Sequence, residues 1–210
     1  MPAGVNLPQE GMLYQREQYA KSWLTRLYWN YKDEKEIKPL ADSRRIVEFG
    51  CGEGITLERM VKHFQGSFIL GLELEPENIA ILKKHALPVV QGDALSPCFK
   101  PGSLDAVLLS EVLEHVPDSQ GLIRAIRQAL KAGGVLALVI PNDDFFYLAR
   151  MITLKFKEAR YDSGHVRKWN PREIGELLEG EGFKVIRGRN LPFRLWPCSL
   201  HHLCVAIKLP

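Results

Sequence analysis

The chain has 210 residues, 46% of them hydrophobic and 25% charged, with a formal net charge of +3. This is an ordinary globular composition, long enough for one domain with a sizeable core. The mild charge does not demand a nucleic-acid partner, and the longest apolar runs (106–109 and 135–140) fall far short of the roughly 18 residues of a membrane-spanning helix.

The first residues, Met1-Pro2-Ala3-Gly4-Val5-Asn6, lack the basic flank and apolar core of a secretory signal, so a cytoplasmic protein is expected. In residues 10–36, Tyr14, Tyr19, Trp23, Leu24, Leu27, Tyr28 and Tyr31 recur at helical spacing and predict an amphipathic helix with an aromatic face. From Arg44 onward short apolar runs alternate with helical stretches, the signature of βα units and a largely parallel sheet. Strands are predicted at 45–49, 68–74, 88–91, 104–110, 135–140, 183–187 and 203–209, with helices at 55–64, 77–85, 120–131 and 171–181. Pro76, Pro117 and Pro171 sit where helices begin, and Gly133, Gly134 and Gly182 where two of them close.

The whole reads as one α/β domain of Rossmann-like type, with helices on both faces of a mostly parallel sheet. A helical cap at 1–40 precedes a core at 44–142, an insertion at 143–170 and a closing unit at 171–210. The insertion is longer than an ordinary connection. Phe145, Leu148, Ile152 and Phe156 recur there at helical spacing beside Arg150, Lys155, Lys157 and Arg160, which suits either a packed helix or an amphipathic lid or membrane contact.

The four cysteines, Cys51, Cys98, Cys198 and Cys204, show no CxxC pairing and are expected as free thiols. Cys198, His201, His202 and Cys204 lie close in sequence, but a strand through them sends alternate side chains to opposite faces, so no metal is expected.

The chemistry gathers at strand ends. Gly50-Cys51-Gly52-Glu53-Gly54 follows the first strand and opens a helix, at the edge where open α/β folds bind ligands. Such a turn serves several nucleotide ligands; the acids around it decide between them. Glu48, just before the turn, suits a cationic amino-acid arm and repels a pyrophosphate. Glu73, about twenty residues past the turn, stands where a carboxylate accepts from ribose hydroxyls. Asp93, ending the third strand, can accept from an exocyclic amine. Together they describe a site for adenosine bearing a positively charged amino-acid arm, which is S-adenosylmethionine.

The segments VEFGCGEG, GLELEP, QGDAL, LDAVLLSEVLEHVPD and LKAGGVLALVIPN resemble successive motifs of the class I methyltransferases over residues 44–142. The resemblance is closest to the small-molecule branch, of the ubiquinone-biosynthesis O-methyltransferase type. It implies a seven-stranded sheet whose last strand is antiparallel. It implies that Gly50 and Gly52 shape the cofactor turn, that Glu48 lies near the methionine arm, Glu73 and Leu74 at ribose, and Asp93 and Ala94 beside adenine. Ser110 and Glu111 would line the sulfonium region.

Methyl transfer from a sulfonium is a direct displacement that depends on placing acceptor and methyl in line. An oxygen acceptor is favoured by the quinone-pathway resemblance, and His115 and His165 are the candidates to take its proton. Tyr19, Phe146 and His165 are the candidate lining of a small apolar acceptor site. An RNA or protein methyltransferase, a cofactor-binding module without turnover, and a dinucleotide oxidoreductase are the competing readings.

Overall fold

The computed structural model describes residues 15–152 and 164–210. Seven strands, β1 (Arg45–Phe49), β2 (Phe68–Glu73), β3 (Val89–Gln91), β4 (Leu104–Ser110), β5 (Leu130–Pro141), β6 (Phe183–Leu191) and β7 (His201–Lys208), form one sheet. Their spatial order is β3-β2-β1-β4-β5-β7-β6. β1 through β5 pair in parallel, whereas β7 runs antiparallel to both β5 and β6. The chain steps outward from β1 to β3 and then returns to lay β4 beside β1, which creates a crevice at the carboxyl ends of those two strands.

Both faces of the sheet are covered, so β1 and β4 are apolar almost throughout rather than alternating. On one face Val47, Phe49, Leu109 and Leu138 pack with helices α5 (Ser119–Ala129) and α7 (Pro171–Gly180). On the other, Ile46, Leu108 and Val139 pack with α3 (Ile55–His63) and α4 (Pro76–Lys84). α6 (Asp143–Ile152) opens the long insertion after β5.

Several boundaries differ from expectation for local reasons. The N-terminal helix divides into α1 (Gln15–Lys21) and α2 (Trp23–Ile37), because Ser22 is extended and its side chain accepts from the Thr25 amide to cap α2. α5 stops at Ala129, and buried Leu130 begins β5 by pairing with Leu104; Gly133 and Gly134 therefore lie within an extended segment and close no helix. Pro117 precedes the cap Asp118 rather than starting the helix. Tyr14, Lys155, Phe156, Lys157 and Arg160 lie outside the described residues, as do the side chains of Arg150 and Ile152. Among the described residues no helix is long and apolar enough to cross a membrane.

Candidate active site

The turn after β1 runs through three residues with positive φ, Gly50 (69°), Gly52 (53°) and Gly54 (77°). Glycine adopts that backbone without the steric penalty other residues meet. At Gly50 the space is closed as well: a Cβ there would stand 2.6 Å from Val112 Cγ2. The Gly50 amide donates to Leu72 O at 2.7 Å, tying the turn to β2.

Two carboxylates hold the turn in shape. Glu73 accepts from the amides of Gly52 (2.7 Å), Leu74 and Glu75 (both 3.0 Å), bridging the turn to the end of β2. Glu53 accepts from the amides of Gln15 and Arg16, each at 2.9 Å, and so seats the start of α1 beside the turn.

Glu48 is the exceptional group. It is buried, and its Oε2 has no hydrogen-bond partner. Burial, then the neighbouring Glu36 and Asp33, push its carboxyl well above the usual range. Lys32, also buried, lies 3.2 Å from Glu36, 3.1 Å from Glu111 and 3.8 Å from Asp33, and it donates to Ser110 Oγ at 3.1 Å. Arg59 contacts Asp33 at 2.9 Å. The carboxylates of Asp33, Glu36, Glu48, Glu73 and Glu111 thus outnumber the two cations among them. An unpaired buried carboxylate is costly and favours a positive partner. The sulfonium and ammonium groups of S-adenosylmethionine meet that demand, and a phosphate does not.

A second group faces the same edge from the segments after β4 and β5. The rings of His115 and His165 meet edge to face with centroids 4.7 Å apart. His165 Nδ1 lies 2.8 Å from Asp143 Oδ1, and His115 Nδ1 lies 3.3 Å from Gly164 O. Val166 and Arg167 donate their amides to Glu114 O, which fastens residues 164–167 over this loop. The Glu114 carboxylate is buried without a partner; burial raises its pKa, and burial together with His165 lowers that of His115. One donor atom each from Glu114, His115 and His165 fall within 4.8 Å of one another, so this group could hold a metal ion, which the sequence reading did not anticipate.

The methyltransferase domain family matches residues 12–187 of the chain. The chain belongs to that family. A ubiquinone biosynthesis O-methyltransferase of Ralstonia nicotianae is 35% identical over 167 residues, covering 74% of this chain and 68% of the relative. One of the same description from Xanthomonas campestris is 37% identical over 105 residues, 47% of this chain, and the match spans only 43% of that relative's length. Among solved structures, an S-adenosylmethionine-dependent methyltransferase from Archaeoglobus fulgidus superposes with a TM-score of 0.71 at 17% identity, over 92% of this chain and 97% of the other. That likeness is one of fold.

In this member of the family the residues expected at the cofactor make contacts that the sequence did not disclose. Glu73 is occupied by backbone amides, although each carboxylate oxygen retains capacity to accept a further bond. Asp93 is exposed and accepts from the Leu95 amide at 2.8 Å; Ala94 is half-buried and Leu74 largely exposed. Ser110 and Glu111 bind Lys32 of α2. Phe146 packs edge-on against His201 with centroids 5.1 Å apart. Tyr19 takes another place: it donates to Asn30, stacks on Trp29, and lines a cavity of about 540 Å³ with Arg16, Arg59 and Lys62.

Lys32, Glu36, Tyr28, Asp143 and His201 were not foreseen. Tyr28, Lys32 and Glu36 recur every four residues, a stripe visible in the sequence but polar, whereas the aromatic face invited attention; Trp23, Leu24 and Leu27 are in fact 65%, 59% and 61% exposed. His201 and His202 diverge to opposite sides of β7, one toward Tyr28 and the other toward Asn190, and Cys198 lies exposed before the strand.

Proposed function

We propose that the protein transfers a methyl group from S-adenosylmethionine to an oxygen of a small-molecule acceptor by direct displacement. The observation that carries the cofactor is the orphaned buried carboxylate of Glu48 within an acid-rich cradle beside the glycine turn. The ubiquinone-biosynthesis relatives support a hydroxylated, apolar ring as the acceptor.

The glycine turn and Glu48 hold the amino-acid arm, Glu73 and Leu74 flank the ribose, Asp93 and Ala94 flank the adenine, and Ser110 and Glu111 border the sulfonium. The bound cofactor supplies an electrophilic methyl group. The protein's own task is to hold the acceptor oxygen in line with it and to exclude water. His165, paired with Asp143, takes the proton of the reacting hydroxyl, and His115 braces its ring. Phe146 and the exposed Tyr147 and Leu148 give α6 an apolar flank, and with Trp23, Leu24 and Leu27 on α2 they suit an apolar acceptor met at a membrane surface from the cytoplasm.

Incubation with methyl-labelled S-adenosylmethionine and a panel of hydroxylated benzenes, with and without alkyl tails, tests this reading. Label in an ether product, strongest for the alkylated members, is expected. Label in RNA or protein and in no small molecule would overturn the acceptor class.

A further inference from the structure

At the end of the sheet opposite the glycine turn, β4 and β5 begin at Leu104 and Leu130, β6 begins at Phe183 and β7 ends at Lys208. Phe183 pairs with Lys208 across the β6–β7 ladder, and the Leu209 amide donates to Gly182 O at 3.0 Å. This register sets Lys208 beside the turn between α7 and β6. Arg124 and Arg127, three residues apart on α5, stand on one helix face and meet the same turn at Glu181 and Gly182. Together these residues line a cavity of about 630 Å³. Small-molecule sites usually occupy roughly 300–1,000 Å³.

The charges of the cavity do not balance. Arg124 pairs with Glu181 at 3.3 Å. Among the described residues neither Arg127 nor Lys208 forms an ion pair with a carboxylate, and Arg127 Nε is buried without a hydrogen-bond partner. Lys208 donates one of its three hydrogens to Leu130 O at 2.7 Å and keeps two. Burial, then repulsion from Arg127, lower the pKa of Lys208, so the two cations feel each other's charge. The Arg127 guanidinium is fixed by packing: a Cβ on Gly182 would stand 2.8 Å from its Nε and 3.3 Å from its Cζ, so it fills space that only a glycine leaves. Two uncompensated cations match a dianion. A phosphomonoester carries about −1.5 to −2 charges at neutral pH and three acceptor oxygens, whereas a carboxylate carries a single charge. The planar fork of a guanidinium also meets phosphate oxygens in pairs.

We propose that this cavity is a second binding site, which takes a small soluble molecule through a phosphomonoester group held between Arg127 and Lys208, with Arg124 at the rim. Bound there, the phosphate bridges α5 to the start of β6 and the end of β7. Neither the glycine turn nor His165 takes part, so the site stands independently of the methyl-transfer reading. Lipid headgroups carry the same phosphate chemistry. A soluble ligand is favoured because the cavity is lined by charged side chains and glycines, while the exposed Tyr147 and Leu148 belong to α6, which follows the opposite end of β5.

Titrating inorganic phosphate and phenyl phosphate into the nitrogen-15-labelled protein at constant ionic strength tests this, with benzoate as the carboxylate counterpart. The Arg127 Nε–H signal, assigned by its loss in Arg127→Gln, is the local readout. Both phosphates are expected to shift that signal saturably, at one site per chain, and benzoate to leave it in place. Lys208→Met should weaken phenyl phosphate binding by about tenfold, the scale of one charged hydrogen bond. A signal that neither phosphate moves, or that benzoate moves as far as phenyl phosphate does, would overturn the proposal, as would an affinity unchanged in Lys208→Met. Binding to phosphatidylglycerol vesicles that is lost in Arg127→Gln, by a protein that takes up neither soluble phosphate, would overturn it in favour of a lipid headgroup.

Discussion

Lys32 Nζ and Glu111 Oε1 lie 3.1 Å apart, and this contact joins helix α2 to the residue that follows β4 in the middle of the sheet. Lys32 is 5% exposed and also contacts Glu36 and Asp33. Burial opposes its charge, but Glu36, Glu111 and Asp33 outweigh that cost and raise its pKa well above the usual lysine range.

Replacing Lys32 by methionine keeps much of the side-chain volume and strands carboxylates that have lost their cation. Breaking a buried ion pair from one side costs about 3–5 kcal/mol. Lys32→Met is therefore expected to unfold at much lower denaturant concentration than wild type. The double variant Lys32→Met, Glu36→Gln should recover part of the loss, and denaturant titration of both reads the difference.

Glu48 carries a trade between stability and binding. Its folded pKa stands well above the ordinary 4.5, so the stability linked to it is full below about pH 4.5 and is lost as pH rises through the folded value. Glu48→Gln is expected to leave the cofactor-free protein at least as stable as wild type at pH 7 and to flatten that part of the profile. The same change should weaken S-adenosylmethionine binding by roughly tenfold or more, the scale of one charged hydrogen bond. Denaturation across pH, paired with calorimetry, checks both halves.

The turn glycines separate packing from conformation. A Cβ at Gly54 would collide with Leu82 Cδ2 and stand 2.8 Å from Leu87 Cδ1, whereas one at Gly52 would meet, among the described residues, Gln15 Oε1 at 3.6 Å. Both positions have positive φ, which costs about 1–2 kcal/mol for alanine; overpacking adds about 1–3 kcal/mol at Gly54 alone. Gly54→Ala should lower the melting temperature distinctly more than Gly52→Ala. Gly52→Ala should show its larger effect on cofactor affinity.

His202 governs part of the acid limb. Burial pushes its pKa down to about 4 from 6.5. Its contribution to stability is full above pH 6.5 and is lost as pH falls toward 4, where the unfolded chain binds the proton first; the total is on the order of 3 kcal/mol. His202→Gln, which keeps a donor for Asn190, should show a shallower loss of stability between pH 6.5 and 4 in denaturant titrations.

The sequence disclosed what depends on neighbours in the chain. The run Arg45–Phe49 followed by Gly50 and Gly52 reads as strand and turn because both faces of β1 are apolar and the turn needs positive φ. The acids at 48, 73 and 93 were legible because they stand at strand ends. What remained hidden depends on partners far apart: Tyr28 meets His201 across 173 residues, and Lys32 reaches Ser110 across 78. Helical periodicity also misled on α2, since it assumes that the apolar face turns inward. Here Lys32, Asp33 and Glu36 turn inward, because Lys32 meets Glu111, Asp33 meets Arg59 and Glu36 pairs with Lys32 and accepts from Ser110, while Trp23 and Leu27 face out.

The acid-rich crevice at the glycine turn is the site proposed for S-adenosylmethionine. Titrating the cofactor and S-adenosylhomocysteine into the purified protein and into Glu48→Gln by calorimetry tests it most directly. One site per chain is predicted, with affinity for S-adenosylmethionine reduced in the variant. Absence of binding by either form of the cofactor to the wild-type protein would contradict it.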